Sequence, residues 1–219
     1  MIKAVIFDAD GVLFDTEGAV REATQKVFWT LYRTKVKEED CRFITGQGTD
    51  VYLVTIGNKY GVTVDLGKAR ALRFAYFKRL LTGRLRVFPG AGFLVKDVKK
   101  AGLKVGVATS GERKKLEFTF KEAKFKFSDF DAVLTKDDVE YTKPHPEVYL
   151  RILKELALKP KECVVIEDSI AGVTAAKKAG VWCVAVTNSF PREKLTKADL
   201  VVGSLAKLPL ATILKLGKR

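Results

Sequence analysis

Short runs rich in valine and isoleucine alternate with stretches of helical character from residue 87 to the end of the chain. This alternation is typical of a parallel β-sheet whose strands are joined by crossover helices. A similar apolar run stands near the start of the chain. The predicted strands cover residues 2–7, 103–109, 131–135, 163–167, 182–186 and 198–202. The sequence therefore predicts an α/β protein built around a parallel sheet.

The segment from residue 16 to residue 87 interrupts this alternation and is helical in character. Apolar residues recur at helical spacing in its first part, and Asp65 is placed to cap a second helix. We therefore predict two domains. Residues 1–15 and 88–219 would form the sheet-based core, and residues 16–87 would form a small helical cap inserted into it.

Composition excludes several classes of protein. Apolar residues make up 47% of the 219-residue chain, which supports a globular protein with a substantial core. Cys41, Cys163 and Cys183 are widely spaced and form no CxxC pair, which argues against a disulfide framework or a zinc site. Neither a signal peptide nor an apolar run of transmembrane length is present. We expect a cytoplasmic protein with no membrane partner, either a monomer or a small homo-oligomer.

Lys and Arg total 40 against 26 Asp and Glu, a formal net charge of +14 that would attract anionic ligands. Nucleic acid, a membrane surface and phosphorylated metabolites all qualify. Basic residues are interspersed with acids along the predicted helices, and neither an RNA-recognition aromatic pattern nor a helix-turn-helix signature stands out. A protein that binds nucleic acid or another polyanion is therefore the less favoured class.

Three predicted strands end in polar residues. Ligands of open parallel sheets bind outside the carboxyl ends of the strands, so these residues are the first candidates for a site. They are Asp8 and Asp10 after the first strand, Thr109 and Ser110 after the second, and Glu167 and Asp168 after the fourth.

The acids among them predict a cation. Asp8 and Asp10 are two residues apart and can face one small volume, while Gly11 allows a sharp turn. Once the sheet brings Asp168 alongside, the carboxylates would repel one another unless a cation neutralised them. Mg²⁺, a hard ion that prefers oxygen ligands, is the expected cofactor.

Four motifs follow one another along the chain: DADGVLFDTE, VATSG, YTKPHPEVYL and VVIEDSIAGVTAAKKAG. This order, with a small helical segment after the first motif, resembles the haloacid dehalogenase superfamily of phosphatases and phosphomutases. The similarity is to the branch of phosphoglycolate phosphatase and β-phosphoglucomutase, and it covers the entire core. The resemblance implies a Rossmann-like three-layer α/β/α core with an inserted α-helical cap.

The resemblance also implies a covalent mechanism. Asp8 would attack phosphorus to form an aspartyl phosphate. Asp10 would protonate the departing alkoxide and then take a proton from the attacking water. Thr109 would hydrogen-bond the transferring phosphoryl group with help from the backbone N–H of Ser110. Lys143, held in an extended segment by the proline that follows it, would neutralise the phosphoryl oxygens.

The same resemblance implies a metal site. Asp168 would ligate Mg²⁺ together with Asp8 and the backbone carbonyl of Asp10. Glu167 would contribute beside it or through water.

Hydrolysis and phosphoryl transfer to a sugar remain alternatives, because both pass through the same phospho-enzyme. In members similar to β-phosphoglucomutase, a histidine follows the linker threonine by four residues, and basic residues surround the glycine loop of the cap. Here Val20 follows Thr16 by four residues, and Thr45 and Thr49 stand in place of the basic pair. A phosphatase is therefore preferred, with a phosphomutase as the alternative.

The cap loop of residues 45–50 is the expected specificity element, because its polar groups would meet the leaving group when the cap closes. Thr16, Gly46, Gln47 and Thr49 are the candidate substrate contacts there, in addition to Ser110. The expected substrate is a small phosphorylated metabolite, either a sugar phosphate or a phosphoglycolate-like acid.

Overall fold

The computed structural model describes residues 1–42 and 44–218; Phe43, in the predicted cap, and Arg219, in the predicted core, lie outside the described residues. Six parallel strands form the main sheet, in the order β5-β4-β1-β6-β7-β8. They are β1 (Ala4–Phe7), β4 (Lys104–Ala108), β5 (Ala132–Leu134), β6 (Cys163–Glu167), β7 (Trp182–Val186) and β8 (Leu200–Val202). Each lies within a predicted strand, so the α/β fold class is confirmed.

Helices cover both faces of this sheet. Val5 and Phe7 pack on one side with α5 (Ala91–Lys100), α6 (Arg113–Ala123) and α9 (Leu210–Leu216). Ala4 and Ile6 pack on the other side with α7 (Glu147–Glu155) and α8 (Ile170–Lys178). Because successive side chains of a strand point to opposite faces, a strand buried on both sides must be apolar throughout. The result is the expected three-layer α/β/α arrangement.

Four helices lie between the first strand and the rest of the sheet. They are α1 (Glu17–Tyr32), α2 (Glu38–Arg42), α3 (Thr49–Lys59) and α4 (Leu66–Leu81). Val27, Leu53 and Phe77 belong to a hydrophobic core that these helices share. Asp65 caps α4 as expected, because its carboxylate accepts a hydrogen bond from the Lys68 amide over 3.0 Å. The shorter helices α2 and α3 were not predicted.

A two-stranded antiparallel ribbon stands where the chain leaves and re-enters the sheet-based part. It consists of β2 (Phe14–Asp15) and β3 (Arg86–Val87), with Phe14 paired to Val87 and Asp15 paired to Arg86. The ribbon thus holds the two crossings side by side. It lies where the sequence predicts the boundary between core and cap, and the division into two domains itself stays a prediction.

None of the helices within residues 1–42 and 44–218 is both long enough and apolar enough to cross a lipid bilayer.

Candidate active site

The three central strands bring the predicted polar residues to one edge of the sheet. Phe7 of β1 is paired with Val107 of β4 on one side and with Ile166 of β6 on the other. The chain positions that follow these residues are therefore neighbours. Asp8 and Thr109 extend just beyond β1 and β4, and Glu167 ends β6.

Lys143 is buried among the acids at this edge. Its Nζ lies 2.5 Å from Asp8 Oδ1 and 2.7 Å from Glu167 Oε1, and it also donates to the carbonyl of Ala108 over 2.9 Å. The side chain of Lys143 is only 1% exposed. Three acceptors thus satisfy the three N–H donors of a desolvated ammonium and fix its position.

Glu167 serves as a structural anchor for this edge. Its Oε1 also accepts from the Tyr149 hydroxyl over 2.8 Å, and its Oε2 accepts from the backbone amides of Asp168 and Ser169 and from the Ser169 hydroxyl. Gly172 of α8 packs so closely that a Cβ there would overlap the Glu167 carboxylate. With both oxygens engaged by protein donors, Glu167 is better placed to orient Lys143 than to serve as a main metal ligand.

Asp168 is 1% exposed and accepts a hydrogen bond from the Ser189 hydroxyl. Gly11 lies directly against it with φ +78°, and a Cβ at that position would overlap the Asp168 carboxylate. Only glycine meets both requirements, since side chains disfavour positive φ and would occupy the space. The turn after β1 therefore brings the backbone of the first motif against the acid of the fourth.

Asp8, Glu167 and Asp168 each offer one carboxylate oxygen, and these oxygens lie within 4.8 Å of one another. Burial raises the pKa of Asp168 well above its usual range, and the negative charges of Glu167 and Asp8 raise it further. Burial likewise raises the pKa of Asp8, and the nearby Lys143 offsets this only in part. A cluster of buried oxygens that is short of positive charge fits a hard divalent cation such as Mg²⁺.

Asp10 is held by two donors. Thr16 Oγ1 donates to its Oδ1 over 2.5 Å, and Lys115 Nζ lies 2.8 Å from its Oδ2. Burial would raise the pKa of Asp10, but the Lys115 ammonium and the hydrogen bond from Thr16 lower it below its usual value. Thr16 itself is fully buried, so the structure places this predicted substrate contact against Asp10 rather than at the cavity.

Thr109 and Ser110 stand between β4 and the start of α6. Thr109 Oγ1 accepts from the Gly111 amide over 3.0 Å. The hydroxyl of Ser110 is buried and has no hydrogen-bond partner among the described residues. Both residues line the same cavity as Asp8. Ser110 therefore offers a free hydroxyl in addition to the predicted backbone amide.

The cap loop rests on the core at this point. A Cβ at Gly46 would overlap the Ser169 side chain, and a Cβ at Gly48 would lie 3.2 Å from the Ser110 carbonyl oxygen. The Thr142 hydroxyl donates to the carbonyl of Gln47 over 2.8 Å. Gln47 thus contacts the core through its backbone, whereas Gly46 and Gly48 border the cavity. The loop of residues 45–50 thus lies directly against the core.

A second cap contact lies beside the loop, where Lys136 Nζ is 2.5 Å from Asp50 Oδ2.

A cavity that is open to solvent in part lies between the cap and the edge of the sheet, with about 480 Å³ of empty space when the open solvent is counted. Thr45 and Thr49 line it, together with four residues that were not among the predicted site residues: Glu17, Tyr52, Arg73 and Lys115. One signal was available for Arg73, because it follows Ala69 and precedes Phe77 by four residues on the buried stripe of α4. A charged residue on an apolar stripe indicates a partner or a site.

Comparison with known proteins identifies the family. A sequence model described as "Haloacid dehalogenase-like hydrolase" matches residues 5–186. The chain therefore belongs to the haloacid dehalogenase-like hydrolase family, as the motifs indicated. YhcW of Bacillus subtilis (strain 168), named as a phosphatase, is 36% identical over 98% of this chain and 97% of its own length. The predicted enzyme class, a phosphoric monoester hydrolase of this family, is confirmed.

Solved structures of relatives share the whole architecture. CbbY from Rhodobacter sphaeroides, crystallised in complex with phosphate, superimposes with a TM-score of 0.88 at 28% identity and covers 97% of this chain and 99% of its own. A β-phosphoglucomutase from Clostridium difficile gives a TM-score of 0.86 at 27% identity, covering 100% of this chain and 98% of its own. The fold prediction is thus confirmed with its helical insertion.

Proposed function

We propose that this protein is a Mg²⁺-dependent phosphatase that hydrolyses a small phosphorylated metabolite through an aspartyl-phosphate intermediate. The observation that carries the proposal is the buried contact of Lys143 with Asp8 at the edge where Asp168 also lies. This arrangement provides a nucleophile, a fixed positive charge and metal-ligating oxygens in one small volume. Phosphoryl transfer requires little more than such positioning and charge.

Asp8 is the nucleophile of the proposed reaction. Its Oδ1 is engaged by Lys143, so Oδ2 is the oxygen that attacks phosphorus. A bond forms between this oxygen and phosphorus while the bond from phosphorus to the leaving oxygen breaks. The Lys143 ammonium stabilises the charge on the phosphoryl oxygens and favours the ionised form of Asp8 against the effect of burial. Water then attacks the phosphorus of the aspartyl phosphate and releases inorganic phosphate.

Asp10 moves the protons in both steps. Protonated, it gives its proton to the leaving oxygen, and the carboxylate that results accepts the proton of the attacking water. Thr16 and Lys115 hold the carboxylate in place and favour its ionised form. The pair thus prepares Asp10 for the second step, in which it acts as a base.

Asp168 and Asp8 are the proposed side-chain ligands of Mg²⁺, and the backbone carbonyl of Asp10 is the proposed third protein ligand. Glu167 would contribute its negative charge near the ion without direct coordination, because protein donors occupy its oxygens. The bound ion supplies positive charge to the phosphoryl oxygens and lowers the repulsion between them and the carboxylates. Thr109 and Ser110 supply hydrogen-bond donors to the same oxygens.

A phosphatase is preferred to a phosphomutase because Val20 and Thr49 stand where members similar to β-phosphoglucomutase carry the histidine and the basic residues of the cap loop. Closure of the cap excludes bulk water during the first step. Cap residues 16–87 and core residues 1–15 and 88–219 are the moving bodies in this proposal. The buried thiols of Cys41, Cys163 and Cys183, which form no disulfide, support a reducing compartment such as the cytoplasm.

The test is release of inorganic phosphate from a broad panel of small phosphomonoesters by the purified protein. We expect turnover with MgCl₂, none after EDTA treatment, and none from Asp8→Asn. Acid-quenched phospho-enzyme should appear in the wild type and be missing in Asp8→Asn. Phosphate release that persists in Asp8→Asn, or no release from any ester by the wild type, would refute the proposal. Conversion of a sugar 1-phosphate to its 6-phosphate without net phosphate release would favour the mutase.

A further inference from the structure

Two polar groups on the cap side of the cavity have no part in the proposed chemistry. Arg73 lies on α4 and is 8% exposed, and Tyr52 lies on α3 and is 3% exposed. Both line the same cavity as Asp8. They therefore face the part of a substrate that is remote from the transferred phosphoryl group.

The guanidinium of Arg73 is held in place but not neutralised. Its Nε donates to Thr24 Oγ1 over 3.0 Å, and its Cζ lies 4.7 Å from the centre of the Tyr52 ring. Throughout the described ranges, residues 1–42 and 44–218, no carboxylate oxygen lies within 4.0 Å of its nitrogens. A buried cation without a counter-ion is costly, and burial accordingly lowers the pKa of Arg73.

The acids of the cavity are engaged elsewhere. Asp10 accepts from Lys115 and Thr16, and Glu17 accepts from Thr45 Oγ1 over 3.2 Å. Glu17 lies too far from Arg73 to form an ion pair within the part of the chain that the structure describes. The nearest protein charges thus leave the guanidinium open to an anion from outside.

Tyr52 adds a second unused donor. Its hydroxyl is buried beside the Cys41 thiol, a weak hydrogen-bonding group, and has no stronger partner among the described residues. A buried hydroxyl that is paired so weakly costs free energy, and in a cavity it is available to a ligand. A guanidinium and a phenolic O–H together form a set of donors, and the chemistry that matches them is an oxyanion.

We propose that Arg73, with the Tyr52 hydroxyl, binds a second anionic group on the leaving group of the substrate. The substrate class is then small phosphomonoesters that also carry a carboxylate or a second phosphate. This inference rests on the proposed phosphatase function and narrows it. Arg73 is accordingly a specificity-determining residue, since it acts away from the reacting atoms.

The experiment compares esters that differ only in the second anion. The first pair is 3-phosphoglycerate and glycerol 3-phosphate, and the second is glucose 1,6-bisphosphate and glucose 6-phosphate. We expect the wild type to prefer at least one anionic member of these pairs, which also identifies carboxylate or phosphate as the second anion. Arg73→Met should lower kcat/KM for the preferred ester with the second anion by about 10- to 100-fold. For its counterpart, whose only anionic group is the transferred phosphate, kcat/KM should fall by less than about threefold. The loss should lie mainly in KM, because the contact is remote from the reacting bonds.

Arg79→Met is the matched control, since Arg79 is an exposed arginine on the same helix. Arg79→Met should leave kcat/KM unchanged for both members of each pair. Equal loss for the anionic and neutral members in Arg73→Met, or no preference for either anionic member in the wild type, would overturn the inference.

Two further measurements keep the outcome decisive. If Arg73→Met does not fold by circular dichroism, Arg73→Lys keeps the charge and loses the fork of donors, so it should weaken only the anionic members. If the ratio of kcat/KM between the two esters of the preferred pair is the same in Arg73→Lys as in the wild type, the inference is contradicted. Calorimetric titration of Asp8→Asn with 3-phosphoglycerate and glycerol 3-phosphate measures binding without turnover. An anion preference there that Arg73→Met removes, in a protein that releases no phosphate from any ester, would fault the phosphatase proposal and leave this site standing.

Discussion

Lys115 Nζ lies 2.8 Å from Asp10 Oδ2, so the proposed acid/base is paired with a cation from a different part of the fold. Both side chains are 17% exposed, and the lysine ammonium also lies 5.0 Å from the centre of the Phe77 ring in the cap. One cation thus contacts the Asp10 carboxylate and the ring of Phe77 together. Opening of the cap would remove the aromatic contact and expose the pair to water.

Lys115→Met should move the pH dependence of the reaction to higher pH. Burial alone would raise the pKa of Asp10, and the Lys115 charge is the largest influence that lowers it. Without this charge Asp10 holds its proton to higher pH, so both the acidic limb of phospho-enzyme hydrolysis and the basic limb of its formation shift upward. Single-turnover rates measured across pH 5 to about 9 would detect the shift. Lys115→Arg keeps the charge and serves as the control; a profile unchanged in Lys115→Met would count against the proposed role of the pair.

Lys143→Met should abolish activity and also lower stability. Removal of the ammonium leaves Asp8 and Glu167 buried without a counter-charge, which costs about 3–5 kcal/mol of the free energy of unfolding near neutral pH. Phosphate release should fall at least roughly 10³-fold, since the charge that stabilises the phosphoryl oxygens is gone. Lys114→Met, which removes an exposed partner of Glu112, is a control that should change little.

The same variant has a defined dependence of stability on pH. In the wild type the pKa of Lys143 is raised above its usual value, against burial, by Asp8 and Glu167. Its stabilisation is therefore complete below its unfolded pKa of about 10.4 and is lost only as pH rises through the folded value. In Lys143→Met the uncompensated carboxylates are unfavourable only when ionised, so the deficit should be largest near pH 8 and shrink toward about pH 5. Urea unfolding of both proteins at these two values checks this; a deficit that grows as pH falls would contradict it.

Gly172→Ala should destabilise the protein and lower its activity. The added Cβ would overlap the Glu167 carboxylate, and relief of that overlap must displace the anchor of Lys143 or shift α8. The expected cost is about 1–3 kcal/mol in the free energy of unfolding, with a loss of turnover. Gly92→Ala is the matched control in another helix, where the nearest atom, of Phe125, is 4.0 Å away. Alanine there should stabilise by about 0.5–1 kcal/mol, because the helical backbone loses less entropy.

MgCl₂ should stabilise the wild type in a way that depends on Asp168. A ligand that binds only the folded state stabilises it by about 2.7 kcal/mol at 100 times its dissociation constant. Thermal unfolding with and without the salt, in the wild type and in Asp168→Asn, measures the effect, which should be lost in the variant. Asp97→Asn, at an exposed acid on α5, should keep it. The same shift in both variants would mean that Mg²⁺ acts at other sites.

Much of the fold could be predicted because each central strand is buried on both faces. Such strands must be apolar along most of their length, as in the run from Cys163 to Ile166, and this makes them visible without any knowledge of their neighbours. The polar residues at their ends were visible for the same reason. Asp8 and Asp168 are conspicuous where an apolar run stops.

The cap side of the cavity could not be predicted in the same way. Tyr52 and Lys115 belong to amphipathic helices in which tyrosine and lysine are ordinary residues, and only the tertiary packing turns them toward the cavity. Thr16 illustrates the converse, since its position in the first motif indicated a substrate contact, whereas its hydroxyl, between β2 and α1, donates to Asp10. The ribbon of Phe14 and Val87 is two residues long in each strand, too short to leave a periodic pattern.

The ribbon of β2 and β3 limits how the helical insertion can move relative to the sheet. Because its paired strands tie both covalent crossings together, the helical insertion is hinged at one place and has no second, independent tether about which to slide. We expect the helical insertion to rotate as one rigid body about this ribbon. Gly48 would then move away from Ser110 at the same time as Arg73 moves away from the edge of the sheet. Selection of the incoming molecule and shielding of the labile phospho-enzyme from bulk solvent would therefore be gained and lost together.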